Sequence, residues 1–331
     1  MKFCWTIAAL LTFAPTPIAL SLPLRGTPPH RSHAIVRLKN MELPRPQVSG
    51  QATLPLHLLP EGKVWTVDLT IGQQLGRFLI DTGAATSMVA PVFVQKLGLM
   101  GTPVASDRVQ YAVAGNGCAD MNAILHRLPA IATQSLRIEG LMTLELSSAV
   151  IPGDLSGVLG LDFLSNFDLL FNPKTQQLKL LPPSQLPTQE RAEAVPLQGK
   201  LGVMLAPVKI NQKRSYTFLL DTGAESTFIS KRVAQELAIP STQMRAIRVE
   251  GFCGIEPAQS TFLSSVVLHN HSLTNLEAII LDSSVLTLLG VDGILGQNFL
   301  SAFEQHWRFE QPKSGGFPQR GSLILKPLNF P

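Results

Sequence analysis

Between residues 64 and 71 apolar and polar side chains alternate (Val-Trp-Thr-Val-Asp-Leu-Thr-Ile), the period of a half-buried strand, and the run stops at Gly72. A second apolar run, residues 77–80, leads straight into Asp81. Residues 203–210 and 216–220 repeat this pair of strands around Asn211-Gln212-Lys213-Arg214. The spacing turns helical over residues 91–97, which begin on Pro91 and are followed by Gly98. Residues 230–237 parallel them, with Ser230 placed as an N-cap. The pattern predicts a mainly β chain with one short helix in each half.

The halves are copies of one unit. Phe78-Leu79-Ile80-Asp81-Thr82-Gly83-Ala84 returns 140 residues later as Phe218-Leu219-Leu220-Asp221-Thr222-Gly223-Ala224. Gly157-Val158-Leu159-Gly160-Leu161-Asp162-Phe163-Leu164-Ser165 returns 136 residues later as Gly293-Ile294-Leu295-Gly296-Gln297-Asn298-Phe299-Leu300-Ser301. A fainter pair, Pro55-Leu56 and Pro196-Leu197, precedes the respective aspartates by 26 and 25 residues. Residues 182–194 are Pro-rich and polar, as a linker is. The predicted lobes are therefore 51–181 and 195–331. A segment near the end of the second, residues 311–316, reads as a loop between terminal strands.

Composition removes several classes. With 45% hydrophobic and 15% charged residues over 331 positions, the chain is too apolar for disorder and long enough to bury a large core. Its net charge of +4 is unevenly placed. Residues 22–50 carry Arg25, Arg31, Arg37, Lys39 and Arg45 against Glu42, whereas residues 51–331 are almost neutral. No nucleic-acid partner is expected of such a body. Residues 22–50 read as a basic leader or pro-segment.

Residues 1–21 read as a signal peptide: Lys2, an apolar stretch, then Ala19-Leu20-Ser21 as a cleavage site. The expected location is extracytoplasmic (secreted, periplasmic or lumenal), with no membrane attachment after cleavage; the alternative is an uncleaved N-terminal anchor. Cys4 leaves with the signal, which leaves Cys118 and Cys253. There is no CxxC, Cys/His set or HExxH, so neither a metal nor another cofactor is expected. His269 and His271, two apart, would share one face of a strand, a weak metal pair and more simply a polar strand end.

An ionisable side chain directly after a buried strand is costly unless it has a partner or a task. Asp81 and Asp221 both stand there. Two such loops related by an approximate two-fold axis would bring the carboxyl groups together. Like charges in contact do not both ionise cheaply, so the pair would share a proton and supply an acid and a base. Gly83 and Gly223 permit the tight turn and the close backbone approach.

On these residues the chain resembles the aspartic peptidases, and each half looks like a retropepsin protomer. The Asp-Thr-Gly-Ala loops are followed by Thr86-Ser87 and Ser226-Thr227, as in the retropepsin active-site loop. Leu159-Gly160 and Leu295-Gly296 look like its second motif, which passes behind that loop and precedes the C-terminal helix. Two lobes in one chain are similar to the pepsin plan. The resemblance implies two acid-protease β-barrel lobes related by pseudo-two-fold symmetry, in a monomer that is internally a pseudo-dimer. It implies a catalytic pair Asp81 and Asp221, Thr82 and Thr222 interlocked across the two-fold, and Gly83 and Gly223 donating N–H groups to the carboxylates. Leu161 and Gln297 stand where retroviral members often carry Arg, and Asp162 and Asn298 differ between the halves, so an asymmetric cleft is expected.

Candidate flaps lie between the motifs: residues 113–118, with Gly115, Gly117 and Cys118, and residues 249–254, with Gly251, Cys253 and Gly254. In an oxidising compartment the two cysteines would either bridge the flaps or remain as thiols. Ala84 and Ala224 offer no hydroxyl to stabilise a charged carboxylate, so the expected pH optimum is mildly acidic. The expected activity is endopeptidase cleavage of peptides or proteins with water as nucleophile. The competing expectation is a peptide-binding module of the same fold that does not cut. A serine or metal hydrolase lacks its motif.

Overall fold

The strands that end in Asp81 and Asp221 organise the architecture. In the computed structural model, which describes residues 30–31, 34–39, 41, 43–59, 63–113, 122–146, 151, 155–251, 254–312 and 315–328, Gln74–Ile80 and Ser215–Leu220 are these two strands. Residues 1–21, read as a signal peptide, with Cys4, and Gly115, Gly117, Cys118 and Cys253, lie outside the described residues, and with them the question of a cysteine bridge.

Each dyad strand is the inner member of the same local sheet. Trp65–Ile71 pairs antiparallel with Gln74–Ile80, and Gly157–Leu159 pairs parallel with it, Leu159 opposite Ile80. Val203–Ile210 and Gly293–Leu295 do the same for Ser215–Leu220, Leu295 opposite Leu220. Both faces of each strand carry core, Phe78 and Ile80 in one cluster and Leu79 in another, Phe218 and Leu220 in one and Leu219 in another, which is why Phe78-Leu79-Ile80 and Phe218-Leu219-Leu220 are unbroken apolar runs. The first glycine of each second motif is a steric requirement. A Cβ on Gly157 would stand 2.3 Å from the Met88 carbonyl oxygen and 2.9 Å from the Phe78 ring. One on Gly293 would meet Phe228 O and Phe218 at 2.3 and 2.5 Å.

The halves join through six strands of one sheet, in the order Val195–Lys200, Arg320–Pro327, Phe303–Phe309, Asp168–Asn172, Gln177–Leu181 and Ala52–Pro55. Its centre crosses the pseudo-two-fold, Leu169 opposite Trp307 and Phe171 opposite Gln305. The faint proline landmarks take equivalent outer places: Pro55 opposite Gln177, Pro196 opposite Ser322. One apolar cluster runs through both halves under this sheet, with Trp65, Phe171, Phe299 and Trp307 among its members. Residues 311–312 and 315–316 lie in the loop between Phe303–Phe309 and Arg320–Pro327, where the sequence placed it. The fold is mainly β in two curled lobes, as the pattern predicts.

The helix at Pro91–Leu97 matches its predicted span, and Lys231–Glu236 begins at Ser230, whose hydroxyl accepts from Val233 N at 3.2 Å. There are more helices than one per half. Leu161–Leu164 and Gln297–Leu300 follow the second motifs, and Ser284–Leu289 is capped by Ser283 and by Gly290 in the left-handed region. Ser283 and Gly290 are the sequence signals that mark this last helix.

Two other expectations change. Part of the segment read as a leader is paired: Gln47–Ser49 extends the first lobe's sheet beside Leu136–Glu139, because Val48 has core to pack against. His269 does not share a strand face with His271. It sits in a turn at φ 55°, its Nε2 3.0 Å from Ala192 O, while the His271 ring meets Phe303 edge-on at 5.1 Å. No described helix is long and apolar enough to cross a membrane.

Candidate active site

Both dyad loops hold their own carboxylate by the same device. The strand ends, the chain turns on Gly, and amides point back at the side chain. Gly83 N donates to Asp81 Oδ1 at 2.8 Å and Ala84 N to the same oxygen at 3.0 Å. Gly223 N donates to Asp221 Oδ1 at 2.9 Å. Glycine is required here by the other lobe: a Cβ on Gly83 would lie 2.1 Å from Asp221 Oδ2, and one on Gly223 2.6 Å from Asp81 Cγ. These close approaches show that Asp81 and Asp221 meet, and their side chains hydrogen-bond one another.

The loops are locked across the two-fold by threonines. Thr82 N donates to Thr222 Oγ1 and Thr222 N to Thr82 Oγ1, both at 3.0 Å. Each hydroxyl in turn donates to the carbonyl before the opposite aspartate, Thr82 Oγ1 to Leu220 O and Thr222 Oγ1 to Ile80 O, both at 2.9 Å. Four buried hydrogen bonds thus fix the relative position of the two carboxyl groups.

The second motif backs this arrangement. Asp81 N donates to Leu159 O at 3.1 Å, and Leu161 N to Ala84 O at 2.8 Å. Asp221 N donates to Leu295 O at 3.0 Å, and Gln297 N to Ala224 O at 2.6 Å. A Cβ on Gly160 would reach Ala84 O at 2.8 Å, and one on Gly296 would reach Ser226 O at 2.4 Å.

The lobes diverge at the next residues. Leu161 is fully buried in the core. Gln297, also buried, donates through Nε2 to Thr222 O at 2.8 Å and accepts from Ser301 Oγ at 2.5 Å. Ser301 Oγ also accepts from Trp65 Nε1 of the first lobe at 3.3 Å. Asp162 accepts from Ser87 Oγ at 2.6 Å and Phe163 N at 2.8 Å, and burial pushes its carboxyl up to about 6. Asn298 instead accepts from Thr227 Oγ1 at 2.8 Å and donates to Glu277 O at 2.7 Å. Ser87 and Thr227 were not assigned a role from the sequence. The signal was a hydroxyl six residues after each dyad aspartate.

Asp81 is 1% exposed and Asp221 0%. Burial pushes the Asp221 carboxyl up to about 6, against the hydrogen bonds from Asp81 and the loop amides that favour its charged form. A pair in contact, one member of which resists ionisation, can hold one proton over a wide pH range. Of the candidate flap residues, Gly251 and Gly254 pair with each other at the end of the hairpin of Arg245–Gly251 and Gly254–Leu268. The corresponding strand in the first lobe, Val109–Val113, packs against the second lobe's helix Ser284–Leu289.

A comparison with curated proteins finds no match. The family described as "gag-polyprotein putative aspartyl protease" matches twice, over residues 67–166 and 206–302. Each match holds one dyad loop and one second motif, and together they span more than half of the chain. The chain therefore belongs to this aspartyl protease family, with two copies of its domain in tandem.

Proposed function

We propose that the chain is a self-contained aspartic endopeptidase in which Asp81 and Asp221 are the catalytic residues. The observation that carries this reading is the contact of the two carboxyl groups inside a symmetric cage of amides and threonines. Two buried acids side by side cost free energy, which supports a use for the pair. The ionised carboxyl takes a proton from water as its oxygen attacks the peptide carbonyl carbon, and the protonated carboxyl gives its proton to the carbonyl oxygen. Collapse of the tetrahedral adduct breaks the C–N bond, and the proton held by the dyad passes to the leaving amine. As the bond breaks, one hydroxyl of the tetrahedral diol returns its proton to the other carboxylate, so the pair again holds one shared proton.

The substrate class is an extended peptide or protein segment. The extracytoplasmic location belongs to the same proposal and is supported by the sequence of residues 1–21.

The test is cleavage of a diverse peptide library between pH 3 and 8 by the chain and by its Asp81→Asn and Asp221→Asn variants. Each substitution removes one half of the acid–base pair and is expected to lower the rate at least ~1000-fold without unfolding the protein. Equal rates in variant and parent would overturn the assignment of the dyad. A parent that binds peptides and never cuts them would be a binding module.

A further inference from the structure

The second motif grips the two dyad loops unequally. In both lobes its backbone holds the loop at one carbonyl, Leu161 N donating to Ala84 O at 2.8 Å and Gln297 N to Ala224 O at 2.6 Å. Gln297 adds its side chain to that hold. Its Nε2 donates to Thr222 O at 2.8 Å, so residue 297 ties down the carbonyls of the residues on either side of Gly223. Leu161, the equivalent residue of the first copy, has no polar side-chain atom to offer Thr82 O and lies in the apolar core.

Thr222 O belongs to the peptide unit that serves Asp221. A peptide unit is planar and trans, so its C=O and N–H point in opposite directions. The other end of this unit is the Gly223 N–H, which donates to Asp221 Oδ1 at 2.9 Å. Holding Thr222 O on one side therefore fixes the aim of the amide on the other. An amide whose carbonyl accepts a hydrogen bond is also more polarised and donates more strongly. Gln297 thus acts on the Asp221 carboxyl without touching it.

The support starts in the other lobe. Gln297 Oε1 accepts from Ser301 Oγ at 2.5 Å, and that oxygen accepts from Trp65 Nε1 at 3.3 Å. Each donor in the series Trp65, Ser301, Gln297, Gly223 gives its hydrogen towards Asp221. Gln297 is 1% exposed and Trp65 7%, so little water competes for these bonds. The first copy cannot build the mirror image. It keeps the serine, as Ser165, but has Leu161 where the amide would be. Val67 lies opposite Phe78 and Ala206 opposite Phe218, so the counterpart of Trp65 is Met204, which carries no side-chain N–H.

We propose that Gln297 is a positioning residue of the dyad: it aims the Gly223 amide at Asp221 and anchors that amide, through Ser301 and Trp65, in the first lobe, which favours negative charge on Asp221. The proposal rests on the peptidase reading of the dyad and adds a residue to its support. The other groups that bear on the Asp221 carboxyl are Asp81 and the amides of Ala224 and Gly83, none of which is removed when Gln297 is replaced.

The experiment compares the full-length chain with Gln297→Met and Gln297→Glu variants. Methionine fills a similar volume and has no N–H to give, whereas a protonated glutamate still donates to Thr222 O and accepts from Ser301 Oγ. In Gln297→Met, kcat and kcat/KM for library peptides are expected to fall together by about tenfold, with KM unchanged. The descending limb of the pH–rate profile is expected to move up by about half a pH unit, because the charged form of Asp221 has lost support. At about pH 4.5, where a buried glutamate is neutral, Gln297→Glu is expected to keep kcat within about threefold of the parent. Ser301→Ala leaves Gln297 in place and removes only its donor; it is expected to lower kcat about threefold and to move the limb the same way, and it carries the test if Gln297→Met does not fold. A limb that stays in place, or a kcat no better in Gln297→Glu than in Gln297→Met, would make Gln297 a packing residue and overturn the proposal.

If the parent cleaves nothing, the peptidase reading fails and titration decides the positioning. Followed by carboxyl-carbon NMR of protein labelled at aspartate, Asp221 is expected to titrate about half a pH unit higher in Gln297→Met than in the parent. The same titration in both proteins would overturn the proposal, whether or not peptides are cut.

Discussion

A carboxyl group in this chain is tuned by what its neighbours can donate. Asp221 receives a loop amide and shares a hydrogen bond with Asp81, yet burial dominates and pushes it up to about 6. The neutral form is thus favoured in the folded protein to a higher pH than in a free chain, so the shared proton is kept below about pH 6 and lost above it. The kcat/KM for peptides is accordingly expected to fall as pH rises through about 6, and to be higher at pH 5 than at pH 8. Ala84 N already lies 3.0 Å from Asp81 Oδ1, and its methyl carries no donor. Ala84→Ser supplies a hydroxyl that can stabilise the charged pair, and is expected to move the descending limb down by about one pH unit. A limb that does not move in pH–rate profiles of parent and variant would show that the position does not set the dyad's pKa. The residues of the dyad loops were legible in the sequence because each appears twice in one context. The linkage of Gln297, Ser301 and Trp65 was not, because their hydrogen bonds join residues as much as 236 positions apart.

At the scale of elements, the crossed loops act as a lock between two lobes. Thr222 Oγ1 accepts from Thr82 N and donates to Ile80 O, and both partners lie in the buried centre of the site. Thr222→Val keeps the volume but leaves a buried donor and a buried acceptor unpaired, at about 1–3 kcal/mol each. The variant is expected to lose roughly 2–5 kcal/mol in urea unfolding at pH 5, and Thr222→Ser to lose much less. A Thr82→Val, Thr222→Val pair is expected to cost less than the sum of its parts, because both hydroxyls belong to one network. Full additivity in a double-mutant cycle would mean that the lock is not a unit. Strand positions were predicted well wherever the alternation was clean, as at Val203–Ile210, whose observed bounds are those read from the sequence. The helix Ser284–Leu289 was missed because a run of Ser-Val-Leu-Thr-Leu-Leu fits strand and helix equally, and its caps decide.

For the whole molecule the six-stranded sheet is the joint, and a buried ion cluster ties the linker to it. Arg308, 7% exposed, lies with Nε 3.7 Å from Asp168 Oδ2 and Nη1 2.9 Å from Glu190 Oε2. Asp168 also accepts from Ser184 N at 3.0 Å, so residues 184 and 190 are both held against the central strands. Arg308→Leu leaves the 2%-exposed Asp168 without its cation and is expected to cost about 3–5 kcal/mol. Adding Asp168→Leu is expected to recover most of that loss, since an apolar pair needs no compensation for burial. Calorimetric unfolding of both variants checks this, and a single substitution that costs under about 1 kcal/mol would show the cluster to be incidental.

The sequence by itself determined the duplication, the strand-rich class, the identity of the dyad loops and their second motifs, and the placement of the short helices beside Pro91 and Ser230. Each of these rests on local order: a period, a cap, or a motif repeated at a fixed offset. The tertiary structure alone decided that Asp81 and Asp221 touch, that Gly83 and Gly223 face the opposite carboxyl group, and that residues 30–31 and 34–38 pair with Arg245–Gly251 and Val109–Val113. It also separated His269 from His271 by turning the chain between them. These facts depend on two lobes closing around an axis, and a one-dimensional pattern carries no record of which surfaces then meet.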